Sequence, residues 1–129
     1  MLGRKLTQRL VRDPGLGGAS IDEIDLSDLT EPAELSPRCT AGAGDLADPE
    51  FAEHLASRRP DVVFHLAGVV SGEAEADFDK GTRVNLDGTR ALLDALRHAR
   101  PGVRVVFTSS IAVFGAPFPD PIGDDYHRT

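Results

Sequence analysis

The hydroxyl side chains of Thr108, Ser109 and Ser110 follow the apolar run Val105–Phe107 without a break. An apolar run of this kind is typical of a strand buried in a parallel sheet. Ligands of open α/β sheets bind outside the carboxyl ends of the strands. The sequence therefore predicts that the strand delivers one hydroxyl to a binding site, and Ser110 is the candidate.

Helical and strand patterns alternate along the rest of the chain. In chain order, we predict a helix over 4–11, strands over 24–28 and 39–43, a helix opened by Pro49, a strand over 61–67, a helix over 77–99 and a strand ending at 110. The core of the long helix is predicted at Val84, Leu92, Leu93 and Leu96. This order predicts a doubly wound, Rossmann-like α/β fold with a parallel sheet.

Composition disfavours several classes of function. The net charge of −7, from 14 basic and 21 acidic residues, disfavours nucleic acid and anionic membrane surfaces as partners. We expect no membrane span, because no run approaches about 18 apolar residues, and we expect a cytoplasmic protein. The single Cys39 excludes an intramolecular disulfide, argues against a zinc site and predicts a small, partly buried side chain.

Four motifs resemble those of the extended short-chain dehydrogenase/reductase superfamily, also called the NAD-dependent epimerase/dehydratase family. In chain order they are Gly44-Asp45-Leu46, His65-Leu66-Ala67-Gly68, Val84-Asn85-Leu86-Asp87-Gly88-Thr89, and Thr108-Ser109-Ser110 with Val113-Phe114-Gly115. The resemblance implies NAD as cofactor and a partial dinucleotide-binding domain over residues 1–129. The runs 69–79 and 112–119 look like those of the D-erythronate dehydrogenases in this family. That likeness implies oxidation of the 2-hydroxyl of a four-carbon sugar acid.

The resemblance places the adenosine half of NAD against two carboxylates. Asp28, at a predicted strand end, is expected to accept hydrogen bonds from the ribose hydroxyls and to select NAD over NADP. An N-cap or loop aspartate is the alternative. Asp45 is expected to accept from the exocyclic amine of adenine, with Leu46 beside the ring; the alternative is a helix cap near Pro49.

Other cofactor contacts are expected from small and apolar residues. Gly3 is expected to be the third glycine of the family's phosphate-binding turn, where helix and strand pack closely. Leu66, Ala67 and Gly68 are expected along the cofactor, since small residues let the ribose and pyrophosphate approach the backbone. Asn85 is expected to hydrogen-bond backbone near the site and hold the following strand; a solvent-facing side chain is the alternative.

The resemblance gives Ser110 a catalytic role. In the family's mechanism a tyrosinate removes the proton of the substrate hydroxyl while hydride leaves the same carbon for nicotinamide, and the serine orients the reacting oxygen. Ser71, after the strand over 61–67, is predicted to bind the substrate's carboxylate or hydroxyls. His65, inside an apolar strand, is predicted to be a core histidine with a satisfied hydrogen bond. No metal site is predicted.

Two parts of the family pattern are not found in the chain. These are the first two glycines of the turn and the tyrosine–lysine pair, for which Tyr126 is no substitute. We therefore expect a chain truncated at both ends, with two half-sheets because the family's first strand is central, and with no turnover by these residues alone. A nucleotide-sugar epimerase or dehydratase and a non-catalytic dinucleotide-binding module are the alternatives. Homodimers formed through helices are usual in the family, so a homodimer is one expectation. The helix over 77–99 does not by itself decide the oligomeric state, which stays open.

Overall fold

A computed structural model describes residues 2–33, 35–110 and 123. Helices and strands alternate in the predicted order, with one short hairpin added. The elements are α1 Leu2–Arg12, β1 Gly15–Leu16, β2 Ala19–Ser20, β3 Ile24–Asp28, β4 Cys39–Ala43, α2 Pro49–Ser57, β5 Val62–His65, α3 Ser71–Ala76, α4 Phe78–Thr82, a π-helical segment Arg83–Gly88, α5 Thr89–Ala99 and β6 Arg104–Phe107. The predicted doubly wound, Rossmann-like α/β fold is confirmed.

The parallel strands form two separate pairs. Strand β3 pairs with β4, so that Asp28 lies opposite Ala43, and β5 pairs with β6, so that His65 lies opposite Phe107. Within the described ranges no ladder joins one pair to the other, which agrees with the expected half-sheets. Because both strands of a parallel pair end at the same edge, each pair presents two carboxyl ends together.

The core lies between α2, α5 and one face of the β5–β6 pair. Ala56, Leu92 and Leu96 are buried there, and Val63 and Val105 pack against them from the strands. The small Ala56 side chain leaves room for the leucines of the facing helix.

Two predictions about burial are wrong. Leu93 keeps 46% of its surface exposed, because it lies on the side of α5 that faces away from α2. Val106 and Phe107 remain 42% and 55% exposed, although the apolar run predicts a strand buried on both faces. Side chains alternate between the faces of a strand, so Val105 points to the covered face and Val106 points away from it. Phe107 has the same orientation as Val105 but is the last residue of β6, where it contacts the His65 ring.

The hairpin of β1 and β2 is missed by sequence reasoning. Gly17 and Gly18 connect the strands with φ values of 60° and 86°, the left-handed conformations that a two-residue hairpin turn requires. Each strand contains only two residues, which is too short for apolar and polar positions to alternate visibly. The glycine pair is the only sequence signal that the hairpin carries.

The helix predicted over 77–99 consists of three consecutive segments: α4, the π-helical segment and α5. Asp77 caps α4, its carboxylate accepting a hydrogen bond of 3.0 Å from the Lys80 backbone N–H. Helix α3 crosses α4 where Gly81 meets Ala74, and a Cβ at Gly81 would lie 2.7 Å from the Ala74 methyl group. Between α4 and α5 the hydrogen-bonding pattern changes to that of a π-helix, a variant found frequently at functional sites.

Candidate functional site

The end of β6 stays attached to β5 beyond the last paired residues. The Thr108 backbone N–H donates to the His65 carbonyl at 3.2 Å, and Ser110 is exposed two residues further on. This bond places the candidate serine at the same edge as the loop that follows β5. The motif Val113-Phe114-Gly115, the run 112–119 and Tyr126 lie outside the described residues.

Asn85 fixes the loop that follows β5. Its Oδ1 accepts a hydrogen bond from the Val69 backbone N–H at 2.7 Å, and its Nδ2 donates to the Val69 carbonyl at 3.0 Å. A Cβ on Gly68 would lie 3.3 Å from the same Oδ1, so the glycine gives the amide its access to the loop. The expected backbone hydrogen bonds of Asn85 are present, but they hold this loop and not the following strand.

Asp45 lies in the turn after β4 with both carboxylate oxygens engaged. Oδ1 accepts from the Ala47 backbone N–H at 2.9 Å, and Oδ2 accepts from Nη1 of Arg83 at 2.6 Å. The hydrogen bond from Arg83 is the main cause that lowers the pKa of Asp45 below its ordinary 3.8. The alternative role as a helix cap is wrong, because Asp48 caps α2 by accepting from the Glu50 N–H at 3.0 Å.

The π-helical segment contacts both strand ends. Arg83 reaches Asp45, and the backbone of Gly88 lies so close to the Leu46–Ala47 peptide that a Cβ would approach it to 3.3 Å. Asn85, between them, reaches the loop after β5 instead. One helical segment therefore holds the turn after β4 and the loop after β5 in a fixed relation.

His65 is a core residue, as predicted. Its Nε2 lies 2.9 Å from the Thr89 hydroxyl, and its ring packs at 5.3 Å from that of Phe107. Burial lowers the pKa of His65 below its ordinary 6.5. The buried imidazole, with its hydroxyl partner, links the end of β5 to the start of α5.

Asp28 lies at the end of β3, and Gly3 lies at the start of α1. The Asp28 carbonyl accepts from the Gly44 N–H at 2.9 Å, while its exposed carboxylate accepts from the Leu29 N–H at 2.7 Å. A Cβ on Gly3 would lie 3.8 Å from Leu66, so the start of α1 packs closely on the residue after β5.

Several exposed residues surround the loop after β5, and they differ in whether a protein side chain contacts them. Ala67 and Gly68 are exposed, and Ser71 is exposed at the first residue of α3. Glu73, in the same helix, pairs with Lys80 of α4, which gives this acid a structural partner. The serine is thus the better placed of the two to meet a ligand.

Sequence reasoning missed the roles of Arg83, Gly88 and Thr89. Arg83 contacts a carboxylate 38 positions earlier, so no local pattern could reveal the pair. The five-residue separation of Arg83 and Gly88 is a signal only after the segment is known to be π-helical.

The model of the NAD dependent epimerase/dehydratase family matches residues 1–129. The chain belongs to this family. It is 43% identical to D-erythronate dehydrogenase of Cupriavidus necator over 125 residues, which are 96% of the chain and 39% of the relative. It is 34% identical to D-erythronate dehydrogenase of Haemophilus influenzae, over 95% of the chain and 39% of that relative. The chain thus spans about two fifths of the length of these relatives.

Two solved structures share the fold of this chain. The chain matches a nucleoside-diphosphate-sugar epimerase from Agrobacterium tumefaciens with a TM-score of 0.86 and 57% identity, over 99% of the chain and 40% of the epimerase. It matches uronate dehydrogenase from the same organism, in a mutant complexed with NAD, with a TM-score of 0.77 and 25% identity, over all of the chain and 44% of the enzyme.

The described residues contain neither a membrane-spanning helix nor a metal cluster. None of the helices in that part of the chain has the length and apolar character to cross a bilayer. No group of three or more His, Cys, Asp or Glu side chains there is arranged to hold a metal ion.

Proposed function

We propose that these residues are part of the dinucleotide-binding domain of an NAD-dependent dehydrogenase that oxidises the 2-hydroxyl of a four-carbon sugar acid such as D-erythronate. The observation that carries the proposal is the 43% identity to the C. necator D-erythronate dehydrogenase, which extends over 96% of the chain. A small sugar acid as substrate and a cytoplasmic location belong to the same proposal.

The described residues fit a dinucleotide at the strand ends. The exposed Asp28 carboxylate suits a pair of ribose hydroxyls, and the ionised Asp45 suits an amine donor. Leu66, Ala67 and Gly68 follow the end of β5. Any side chain in place of Gly68 would meet Asn85. NAD, when bound, supplies the acceptor for a hydride from the substrate carbon.

Two serines are proposed to act on the substrate. Ser110 orients the oxygen from which the proton leaves, by donating a hydrogen bond to it, and Ser71 binds the carboxylate or a second hydroxyl. Both are exposed: Ser110 follows β6 by three residues, and Ser71 is the first residue of α3, after the loop that follows β5. The base that accepts the proton is not among the described residues, and the family resemblance assigns that role to a tyrosine.

A nucleotide-sugar epimerase is the second candidate. The 57% identity to the A. tumefaciens nucleoside-diphosphate-sugar epimerase favours it. The 35% identity to UDP-glucose 4-epimerase of Mycolicibacterium smegmatis, over 96% of the chain and 40% of that enzyme, points the same way. The two functions differ in net redox change, because an epimerase returns the hydride to its substrate and a dehydrogenase does not.

The test uses the protein expressed from the complete reading frame. We expect NADH to accumulate with D-erythronate and not with UDP-glucose or UDP-galactose. Ser110→Ala should lower kcat by about 10²- to 10³-fold, the effect of losing one preorganised donor, whereas the matched control Ser109→Ala should leave kcat close to wild type. Interconversion of the UDP-sugars without net NADH would establish the epimerase, and NAD binding without either reaction would establish a non-catalytic module.

A further inference from the structure

Arg83 and Asp45 form an ion pair with a defined orientation. The guanidinium Nη1 lies 2.6 Å from Oδ2, while Oδ1 is held by the Ala47 N–H. The two side chains keep 53% and 33% of their surfaces exposed. Ion pairs at this exposure contribute little to stability, so the main consequence of the contact is the orientation of the carboxylate.

The π-helical segment directs Arg83 to this turn. In an α-helix, residues 83 and 88 would lie about 140° apart around the axis. In an i→i+5 helix they come close to one face, and both in fact contact the turn after β4: Arg83 through its side chain, Gly88 through its backbone against Leu46–Ala47. The backbone contact keeps the arginine in reach of the carboxylate.

A carboxylate has about four lone-pair positions, and the Ala47 N–H and Arg83 use two of them. The remaining positions can only accept hydrogen bonds. Adenine presents an amine donor at its 6-position. Hypoxanthine presents a carbonyl oxygen at the same place, which a carboxylate repels. A carboxylate held in one orientation therefore distinguishes the two bases better than one that is free to rotate.

We propose that Arg83 is a positioning residue for adenine recognition: it fixes the Asp45 carboxylate so that its free lone pairs face the amine of the cofactor base. The inference rests on the proposed NAD-binding function. Loss of Arg83 frees the Asp45 side chain, which NAD must then immobilise when it binds. This entropy cost weakens NAD binding by about two- to tenfold. Deamino-NAD, which carries hypoxanthine, gains nothing from the oriented carboxylate and should bind with unchanged affinity.

The experiment measures dissociation constants of NAD and deamino-NAD by calorimetry, with protein from the complete reading frame. Arg83→Met should lower the preference for NAD by about two- to tenfold, and Arg83→Lys should restore part of it. Arg90→Met removes an exposed charge two residues beyond the segment and should leave the preference unchanged. In an Asp45→Ala background, Arg83→Met should have no further effect.

The outcomes separate the two proposals. If wild-type protein prefers NAD and Arg83→Met lowers the preference as described, the inference is supported. If Arg83→Met weakens both dinucleotides equally, the arginine acts as a general attraction for phosphate and the inference is overturned, while NAD binding stands. If wild-type protein binds neither dinucleotide, the proposed function fails and the inference with it.

Discussion

Replacing Asn85 with alanine removes both hydrogen bonds that hold Val69, at 2.7 and 3.0 Å. A hydrogen bond contributes a net 0.5–1.5 kcal/mol on average, so the pair stabilises the loop by about 1–3 kcal/mol. Both bonds are exposed, and water can replace part of what is lost; we therefore expect about 1–2 kcal/mol. Since 1.4 kcal/mol is a factor of ten, the loop should open roughly 5- to 30-fold more often.

Amide hydrogen exchange at Val69 measures this opening directly, because the Val69 N–H is the donor in one of the two bonds. Asn85→Asp keeps an acceptor for that N–H but replaces the donor to the carbonyl by a second acceptor. Its exchange rate should fall between those of wild type and Asn85→Ala. Asp87→Ala, an exposed position in the same π-helical segment, is the matched control and should not change the rate.

The reasoning is refuted if Val69 exchanges at the wild-type rate in Asn85→Ala. It is also refuted if Asp87→Ala accelerates exchange equally, since that would mean that the whole segment loosens and the amide has no specific role. Under the proposed function, NAD affinity should fall in Asn85→Ala as well, because the loop it holds carries Ala67 and Gly68.

Three further predictions concern stability, measured by urea unfolding. Leu96→Ala should lower the free energy of unfolding by about 2–5 kcal/mol, since Leu96 is 1% exposed in the core; a change below 1 kcal/mol would contradict this packing. Gly44→Ala places a Cβ 2.3 Å from the Phe51 ring and should cost about 1–3 kcal/mol; combination with Phe51→Leu should be less than additive. Because burial lowers the pKa of His65 below 6.5, the unfolded chain binds the proton first as pH falls. Stability should therefore decrease below that pH and decrease less in His65→Gln.

Both strands of the first pair could be predicted from the sequence because apolar runs and the residues that follow them are local patterns. The predicted ends at 67 and 110 lie beyond those of β5 and β6, which end at His65 and Phe107. Strand 24–28 and the strand around 39–43 agree with β3 and β4 in both bounds, despite the glycine at position 42. Burial was harder to predict. Leu93 is as apolar as Leu92, and only the position of α2 decides which of them is covered.

The connections within the site could not be predicted, because they join residues far apart in sequence. Asn85 bonds to a residue 16 positions earlier and His65 to one 24 positions later. Asn85 and His65 belong to the motifs of the family resemblance, so the sequence identifies them as candidates. Their partners depend on how the helical stretch from α4 to α5 packs against the strand ends. The π-helical geometry has no counterpart in the apolar periodicity of 77–99, whose predicted core residues assume an uninterrupted α-helix.

The π-helical segment changes how many residues this stretch accommodates. A π-helical turn holds one residue more than an α-helical turn, so removing one residue between 83 and 88 would let the backbone return to an ordinary α-helix while α4 and α5 keep nearly the same relative rotation. The effect of such a deletion would fall on the contacts of the segment itself, in which Arg83, Asn85 and Gly88 hold the turn after β4 and the loop after β5. Among natural variants of this protein we therefore expect a single-residue gap here to leave the helices in place and to loosen those two connections.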